Sequence, residues 1–356
     1  MPPKKITHDD NFAHSVLAWF DAHGRHDLPW QQAPTPSRVW VSEIMLQQTQ
    51  VGTVIPYFQR FMARFPDIAA LATADTDQVL HLWTGLGYYA RARNLHRTAQ
   101  IVYSELGGEF PRSVDGLMTL AGIGQSTAGA IAALGMGIRA PILDGNVKRV
   151  LTRFFAIAGW PEQTTTKNRL WELAESLTPT ARVADYTQAM MDLGATLCTR
   201  SKPACANCPL QLDCAAYRSG DIASFPGKKP KRALPVKRVA MFVLLDENGS
   251  VLLEKRPPSG IWGSLYSLPE SAETDTPEEV CGISVAGLAH TILPVIKHTF
   301  SHYHLLITPR VLKLSRPKGG VADSNDRVWY PLDHTLEIGL AAPVRKLLTG
   351  LANSLG

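Results

Sequence analysis

The chain has 356 residues, enough for two or three domains with a sizeable core. Its composition, 45% hydrophobic and 19% charged, is that of a soluble globular protein and excludes a disordered or fibrous chain. No apolar run approaches the roughly 20 residues of a membrane span, and the opening MPPKKITHDD lacks the apolar core of an export signal, so a cytoplasmic location is expected.

The net charge of +5 and pI of 8.9 are a mild basic bias, compatible with a polyanionic partner without demanding one. A first amphipathic helix is expected around Phe12 to Phe20, followed by the polar DAHGRHDLPW. Ser37 then caps a long helix, RVWVSEIMLQQTQVGTVI, with Trp40, Ile44, Val51 and Ile55 on one face of a 3.6-residue period. Glu43 falls at the border of that face. It is either a rim glutamate that reaches water or a carboxyl group kept in apolar surroundings for a purpose.

Residues 57–118 read as helical hairpins broken at Pro56, Pro66 and glycines. Within them LWTGLGYYARARNL places Tyr88, Tyr89, Arg91 and Arg93 after a glycine turn. That set suits base stacking and phosphate contact, or equally a core tyrosine with solvated arginines. A second glycine turn, Gly122-Ile123-Gly124, opens LAGIGQSTAGAIAALG. Glycine tolerates positive φ and lets backbone N–H groups approach a partner. The helix that follows, Ser126 to Leu134, is rich in Ala and Gly, so another segment can pack very near it. Asp144, in LDGN ahead of the helix NVKRVLTRFFAIA, is a helix N-cap or a carboxylate set beside an anion-binding turn.

Further helices are expected near Lys167–Leu177 and Tyr186–Leu193. Four of the five cysteines then cluster as Cys198, Cys205, Cys208 and Cys214, a C-x6-C-x2-C-x5-C spacing. In a chain without an export signal such clustering favours a metal site over disulfides. Four thiolates hold either zinc or a [4Fe–4S] cluster, and spacing alone leaves that open. Arg200 and Lys202 make the intervening loop basic. Cys281 stands apart as a structural thiol. PGKKPKRALPVKR, 226–238, carries six positive charges and reads as a linker. Beyond it the pattern turns to strands. VAMFVLL and VLLEKRP flank a turn at Asp-Glu-Asn-Gly, HYHLLITPRVLKL forms a long strand, and LAAPVRKLLTG is helical.

Several of these segments resemble one family. LAGIGQSTA is similar to the helix-hairpin-helix of the endonuclease III superfamily of DNA glycosylases, and LDGNVKRV to its catalytic-aspartate segment. EIMLQQTQV resembles the MutY family of adenine glycosylases, as does the cysteine spacing. KRPPSGIWGSLYSLPE resembles that family's Nudix-like C-terminal domain, and HTFSHYH its lesion-reading loop. The acidic metal-binding helix of a Nudix hydrolase has no counterpart in LPESAETDTPEEVCG, so this domain is expected to recognise rather than hydrolyse.

The resemblance implies a multidomain protein. A mainly α helix-hairpin-helix glycosylase domain with a [4Fe–4S] module would span 1–225, and an α/β Nudix-like domain 239–356. It implies a monofunctional enzyme that excises adenine opposite 8-oxoguanine or guanine from double-stranded DNA, acting as a monomer. Glu43 would be the catalytic acid and Asp144 the carboxylate that stabilises the sugar cation. Gln48 would wedge into the stack, Tyr88 would stack near the mispair, and Gly122, Gly124, Ser126 and Asn146 would contact DNA. Phe300, Ser301 and His302 would read the lesion. Cys198, Cys205, Cys208 and Cys214 would hold the cluster. Ser126 occupies the place of the Schiff-base lysine of bifunctional relatives, and roles for His26 and Gln188 stay unassigned. Two rivals are an endonuclease III-type lyase for oxidised pyrimidines and a non-catalytic iron–sulfur DNA-binding protein. Ser126 speaks against the first, and the presence of both carboxyl groups against the second.

Overall fold

A computed structural model describes residues 8–229, 233–275, 277–315 and 326–355. Part of the expected basic linker, 230–232, and most of the N-terminal segment taken to lack an export signal, 1–7, lie outside the described residues. The chain divides into two compact units, Met1–Thr73 with Asn94–Pro230 and Ala74–Arg93 with Lys231–Gly356. The helices are α1 (His8–His23), α2 (Pro36–Leu46), α3 (Val51–Arg64), α4 (Ile68–Ala72), α5 (Thr76–Leu82), α6 (Ala90–Glu105), α7 (Val114–Met118) and α8 (Gln125–Ala130). They continue with α9 (Gly145–Phe154), α10 (Thr164–Leu177), α11 (Val183–Asp192), α12 (Ala215–Arg218) and α13 (Ala342–Leu355). No helix among the described residues is long and apolar enough to cross a membrane.

The first unit is helical. In α1 the residues Phe12, Ala13, Val16, Trp19 and Phe20 are buried, one stripe of a 3.6-residue period. In α9 the stripe is Val147, Val150, Leu151 and Phe154. The two stripes meet where Phe12 packs edge-on to Phe154, with centroids 4.8 Å apart. Leu170 and Leu177 of α10 and Tyr186, Ala189 and Met190 of α11 complete this core.

The long helix expected from Arg38 to Ile55 is two helices. Thr35, not Ser37, is the cap: its Oγ1 accepts from the Arg38 N–H at 3.2 Å, and Pro36 occupies the first turn, where its missing N–H costs nothing. α2 stops at Leu46, Gln48 takes the left-handed region at φ 59°, and α3 begins at Val51. The break changes the phase of the apolar stripe. Val54, Phe58 and Phe61 are buried, whereas Val51 and Ile55 are only half-buried. Pro56 lies inside α3 rather than at a break, and its missing N–H forfeits one main-chain bond there.

The glycine turn behaves as the sequence suggests. α7 leads to Gly122 at φ 78°, and Gly124 caps α8. A Cβ on Gly122 would also lie 2.9 Å from Asn94 Cβ. α8 runs into a π-helical turn, Ile131–Gly135, and α11 into another, Leu193–Leu197. The small residues of α8 admit a neighbouring strand of chain: a Cβ on Gly129 would sit 2.2 Å from the Pro141 carbonyl oxygen. That contact brings the 140–144 segment, and with it Asp144, against α8.

The second unit is a mixed sheet with helical additions. Its strands are β1 (Val236–Leu245), β2 (Ser250–Lys255), β3 (Tyr266–Ser267), β4 (Glu270–Ala272), β5 (Glu279–Val280), β6 (Ile283–Ser284), β7 (His290–Ile292), β8 (Ile296–Thr299), β9 (His304–Lys313) and β10 (Arg327–Pro331). The main sheet runs β10-β2-β1-β9-β7, with β3, β4 and β8 paired at its margins. β1 and β2 form the expected antiparallel pair. Asp246 Oδ1 accepts from the N–H groups of Asn248 and Ser250, and Gly249 takes φ 76° in the connecting turn. β9 lies parallel to β1 from Val236↔His304 to Leu245↔Lys313. Between Pro269 and Gly282 the described residues form short strands and turns, with no acidic helix, as the sequence implies.

Segment 74–93, which the sequence boundaries placed with the helical part, is held by this second unit. Asp77 of α5 pairs with Lys255 at 2.9 Å, Tyr89 Oη donates to the Leu340 carbonyl at 3.2 Å, and Arg93 Nη1 to the Gly263 carbonyl at 2.7 Å.

The glycine contacts yield a paired prediction. Gly129→Ala should lower the thermal midpoint of unfolding, because the new methyl overpacks a backbone carbonyl at a cost of about 1–3 kcal/mol. Gly52→Ala, in α3 with nothing within 4 Å of its Cβ position, should leave the midpoint unchanged or raise it by a degree or two, reflecting ~0.5 kcal/mol of helix propensity. Calorimetry of both variants checks this. An undiminished midpoint for Gly129→Ala would contradict the contact.

Candidate active site

A cleft of about 770 Å³ opens in the helical unit. Its walls come from the segment after α1, the α2–α3 break, the start of α8, the Asp144 turn, and α11 with the π turn and loop that follow it. Of the residues expected at the site, Glu43, Gln48, Ser126, Asp144 and Asn146 all line it. Glu43 and Asp144, separated by 100 residues of sequence, are therefore brought into one site by packing. Gly122 and Gly124 shape the adjoining turn rather than the cleft wall.

Glu43 lies toward the C-terminal end of α2, between buried Ser42 and Ile44. Burial, and next the nearby charge of Asp144, push its carboxyl up to about 8. It is therefore protonated at neutral pH. Asp144 is also raised by burial, but the polar groups around it work in the opposite direction. As the N-cap of α9 its Oδ1 accepts from the Val147 N–H at 2.8 Å and the Asn146 N–H at 3.1 Å, and Oδ2 accepts from the Asn146 side-chain amide at 3.0 Å. These bonds, the helix N-terminus and Arg149 all favour its ionised form. Asp144 is thus the N-cap of α9 and at the same time lines the cleft. An acid that keeps its proton faces a cleft shared with a carboxylate whose every local partner supports negative charge.

Ser126 has a structural partner: its Oγ accepts from the Leu143 N–H at 3.0 Å and so fastens the start of α8 to the segment leading into Asp144. Gln47 Nε2 donates to Thr127 Oγ1 at 3.4 Å, joining the α2–α3 break to the same helix. Among the described residues no lysine lines the cleft. Asn146 is fixed from both sides. Its amide serves Asp144, and its Oδ1 accepts from Arg149 Nη2 at 2.8 Å.

Arg149 continues inward. It donates to the Gly194 carbonyl at 2.8 Å and to the Cys198 carbonyl at 2.6 Å. Gly194 is needed at that contact, since a Cβ would lie 2.5 Å from Asn146 Cβ. One turn further along α9, Arg153 is only 4% exposed and holds the cysteine loop. It donates to the carbonyls of Thr199, Arg200 and Phe225 and to Cys198 Sγ at 3.3 Å. Among the described residues none of the four cysteines forms a disulfide. Burial pushes the Cys208 thiol up to about 11, with Cys198, Cys214 and Cys205 adding to the rise, and Cys205 and Cys214 are raised likewise. Thiols that raise one another are near neighbours, and their chemistry suits a soft metal. Among the described residues no set of three or more is drawn into a metal-holding arrangement.

Sequence reasoning missed Arg25, which also lines the cleft. Its backbone N–H, Nε and Nη2 all bond the Asp192 carboxylate, with Gln188 donating to the same oxygen at 2.8 Å. The partners are 167 residues apart in the chain, so no local pattern announces them. In the second unit Tyr88 stands 53% exposed on a left-handed residue at φ 49°, with the Arg91 guanidinium 5.6 Å from its ring. Phe300 is half-buried, and Ser301 and His302 are exposed at the turn between β8 and β9.

The raised Glu43 carboxyl has a measurable consequence. A folded-state value above the ordinary 4.5 means the native protein holds a proton the unfolded chain releases, so stability falls as pH rises from about 4.5 through about 8. Glu43→Gln removes that loss. Its thermal midpoint relative to the unsubstituted protein should be higher at pH 9 than at pH 5, and a pH-independent difference would contradict the burial of Glu43.

Residues 41–176 match the HhH-GPD superfamily base excision DNA repair protein family, and residues 240–350 match the NUDIX domain. The chain is 38% identical over 342 residues to the adenine DNA glycosylase of Buchnera aphidicola subsp. Acyrthosiphon pisum, covering 95% of this chain and 96% of that one. It is 33% identical to the adenine DNA glycosylase of Mus musculus, covering 94% and 77%. Among solved structures, a thermostable thymine-DNA glycosylase aligns with a TM-score of 0.54 at 27% identity, over 59% of this chain and 97% of that one. A non-covalent endonuclease III–DNA complex aligns at 0.50 and 20% identity, over 58% and 94%, a likeness of fold alone. With its helix-hairpin-helix unit, its Nudix-like unit and relatives matched over nearly their whole length, the chain belongs to the adenine DNA glycosylase family.

Proposed function

We propose that this protein excises adenine mispaired with 8-oxoguanine or guanine in double-stranded DNA, hydrolysing the N-glycosidic bond without cutting the strand. The observation that carries the reading is the pair of unlike carboxyl groups in one cleft. Adenine leaves poorly as an anion, so it must be protonated as it departs, and it must first leave the base stack. Glu43, raised to about 8, holds a proton at neutral pH and is the acid that donates it. Asp144, supplied with donors from Asn146 and Val147, is the charge that stabilises the cationic sugar, the two-carboxyl division of labour found in glycoside hydrolysis.

Gln48, on its left-handed turn at the cleft edge, is suited to fill the gap the adenine leaves. Gly122 and Gly124 open the backbone N–H groups of the hairpin turn to a phosphate. Tyr88 offers an exposed ring for stacking, and Phe300, Ser301 and His302 an exposed tip that can pair with the altered edge of 8-oxoguanine. Cys198, Cys205, Cys208 and Cys214 would hold a [4Fe–4S] cluster, which when bound supplies a rigid, charged anchor for its loop. Arg149 and Arg153 tie that loop to the helix that Asp144 caps.

A monofunctional mechanism follows from Ser126, whose hydroxyl is engaged by Leu143, and from a cleft without lysine. An imine needs an amine. Borohydride should trap little wild-type protein on DNA, and Ser126→Lys should gain trapping and strand nicking. Efficient trapping of the wild type would favour the lyase reading.

The direct test is single-turnover excision from duplexes carrying adenine opposite 8-oxoguanine. Glu43→Gln and Asp144→Asn should each lose ~10²-fold or more in rate while retaining DNA binding. A near wild-type rate in either variant would remove that residue from the mechanism. Replacing Ser301 and His302 together by Ala should shrink the preference for adenine opposite 8-oxoguanine over adenine opposite guanine.

A further inference from the structure

The loop between Pro257 and Leu265 has no part in the reading above, yet its backbone is unusually constrained. Gly260 stands at φ 87°, and two residues with side chains, Trp262 and Ser264, take φ 54° and 61°. Gly263 has no room for a side chain, since a Cβ would lie 2.5 Å from the Pro258 carbonyl oxygen. Left-handed backbone in residues other than glycine persists only where the surroundings fix it, and it gathers at ligand-holding segments.

The fixing contacts are on hand. Ser264 N–H is shared by the carbonyls of Arg256 and Pro257, Leu265 N–H donates to Trp262, and Arg93 Nη1 donates to the Gly263 carbonyl at 2.7 Å. The effect is to lay the Trp262 indole, 8% exposed, beside the turn between β8 and β9. Its ring centroid is 5.5 Å from His298 and 5.4 Å from Phe300. Phe300 in turn lies 4.6 Å from His298 and 4.8 Å from Tyr303, and its N–H donates to the Tyr303 carbonyl, closing the turn. Lys237 lies over Tyr303 at 4.8 Å and Arg256 over Trp262 at 5.9 Å. The polar tip, Ser301 and His302, stands exposed on this aromatic base.

We infer that Trp262 is a specificity-determining positioning residue: it sets the Phe300-Ser301-His302 turn in the posture that reads the base opposite the excised adenine. The inference rests on the proposed lesion-reading role of that turn. Ser301 Oγ lies 3.4 Å from His302 Nδ1, and the His302 ring rests on the same aromatic base, 4.7 Å from Tyr303 and 6.2 Å from Phe300. A recognition tip that must distinguish an added oxygen and one extra N–H has to be placed to a fraction of an ångström, and rings stacked beneath it do this at low entropic cost. The same loop reaches the other exposed aromatic of this unit. Arg93, which grips Gly263, follows the turn on which Arg91 lies against Tyr88. The two segments proposed to meet the mispair thus share one scaffold.

The test measures binding and single-turnover excision, with the full-length protein in excess, on duplexes with adenine opposite 8-oxoguanine and adenine opposite guanine. Trp262→Leu keeps an apolar side chain of moderate size but removes the flat ring; Trp262→Phe keeps a ring. Trp262→Leu should cut the preference for 8-oxoguanine by about ten-fold, the scale of a well-made base contact. Its rate on the guanine duplex should stay within about threefold of wild type. Trp262→Phe should recover most of the preference. An equal fall on both duplexes, with no recovery in Trp262→Phe, would show that Trp262 only supports the fold and would overturn the inference. Full wild-type preference in Trp262→Leu would overturn it too. If the wild-type protein itself has no preference, the lesion-reading role of the turn fails first and the inference falls with it.

Discussion

The burial of Glu43 beside a second carboxyl group is the constraint around which the helical unit is arranged. An isolated carboxyl would ionise and draw water, and a lone buried carboxylate is costly. The fold holds Glu43 on a well-packed helix, so its carboxyl keeps the proton. It buries Asp144 as well, but gives that carboxyl a helix N-terminus and three hydrogen bonds that work against the rise. Two residues of similar chemistry are thereby driven to different protonation tendencies by backbone geometry and burial. The remaining features of the cleft preserve that difference. Ser126 locks the approach to Asp144, Asn146 is shared between Asp144 and Arg149, and Gly129 and Gly194 let backbone come close where a methyl group would push the site apart.

Much of this was legible in the sequence because it depends on local pattern. The glycine turn at Gly122, the N-cap at Asp144 and the strand pair around Asp246 each announce themselves by residue type at fixed spacing, and each appears where that spacing puts it. The break between α2 and α3 was not legible. A 3.6-residue period can be drawn from Trp40 to Ile55, and only the tertiary preference for Val54, Phe58 and Phe61 shows that the phase changes at the glutamines. Thr35 was passed over as cap because Ser37 stands closer to the apolar run, although Pro36 fits the first turn better. The bond between Arg25 and Asp192, and the π turns after α8 and α11, arise from packing between distant segments and leave no local signature.

Segment 74–93 shows the same limit at larger scale. Its helical periodicity matches the first unit, yet its ion pair with Lys255 and its bonds to Gly263 and Leu340 lie with the sheet. Helical pattern identifies an element and not the neighbours it will choose. The consequence is physical: the exposed Tyr88 turn and the Phe300-Ser301-His302 turn belong to one compact unit. On the function proposed above, reading the opposite base and removing the adenine fall to different parts of the chain. Such a division would let the catalytic cleft treat adenine as an ordinary base while discrimination comes from the opposite strand.

The claim on which all of this depends is that Glu43 delivers a proton it holds at neutral pH. The most direct measurement is the pH dependence of single-turnover adenine excision between pH 5.5 and 9.5, compared between the unsubstituted protein and Glu43→Gln. The account predicts a rate that declines as pH rises through about 8, the value to which burial raises Glu43, and a residual rate in Glu43→Gln that lacks this step. A wild-type rate that stays level or climbs through that range, or a variant that keeps the same alkaline step, would contradict it.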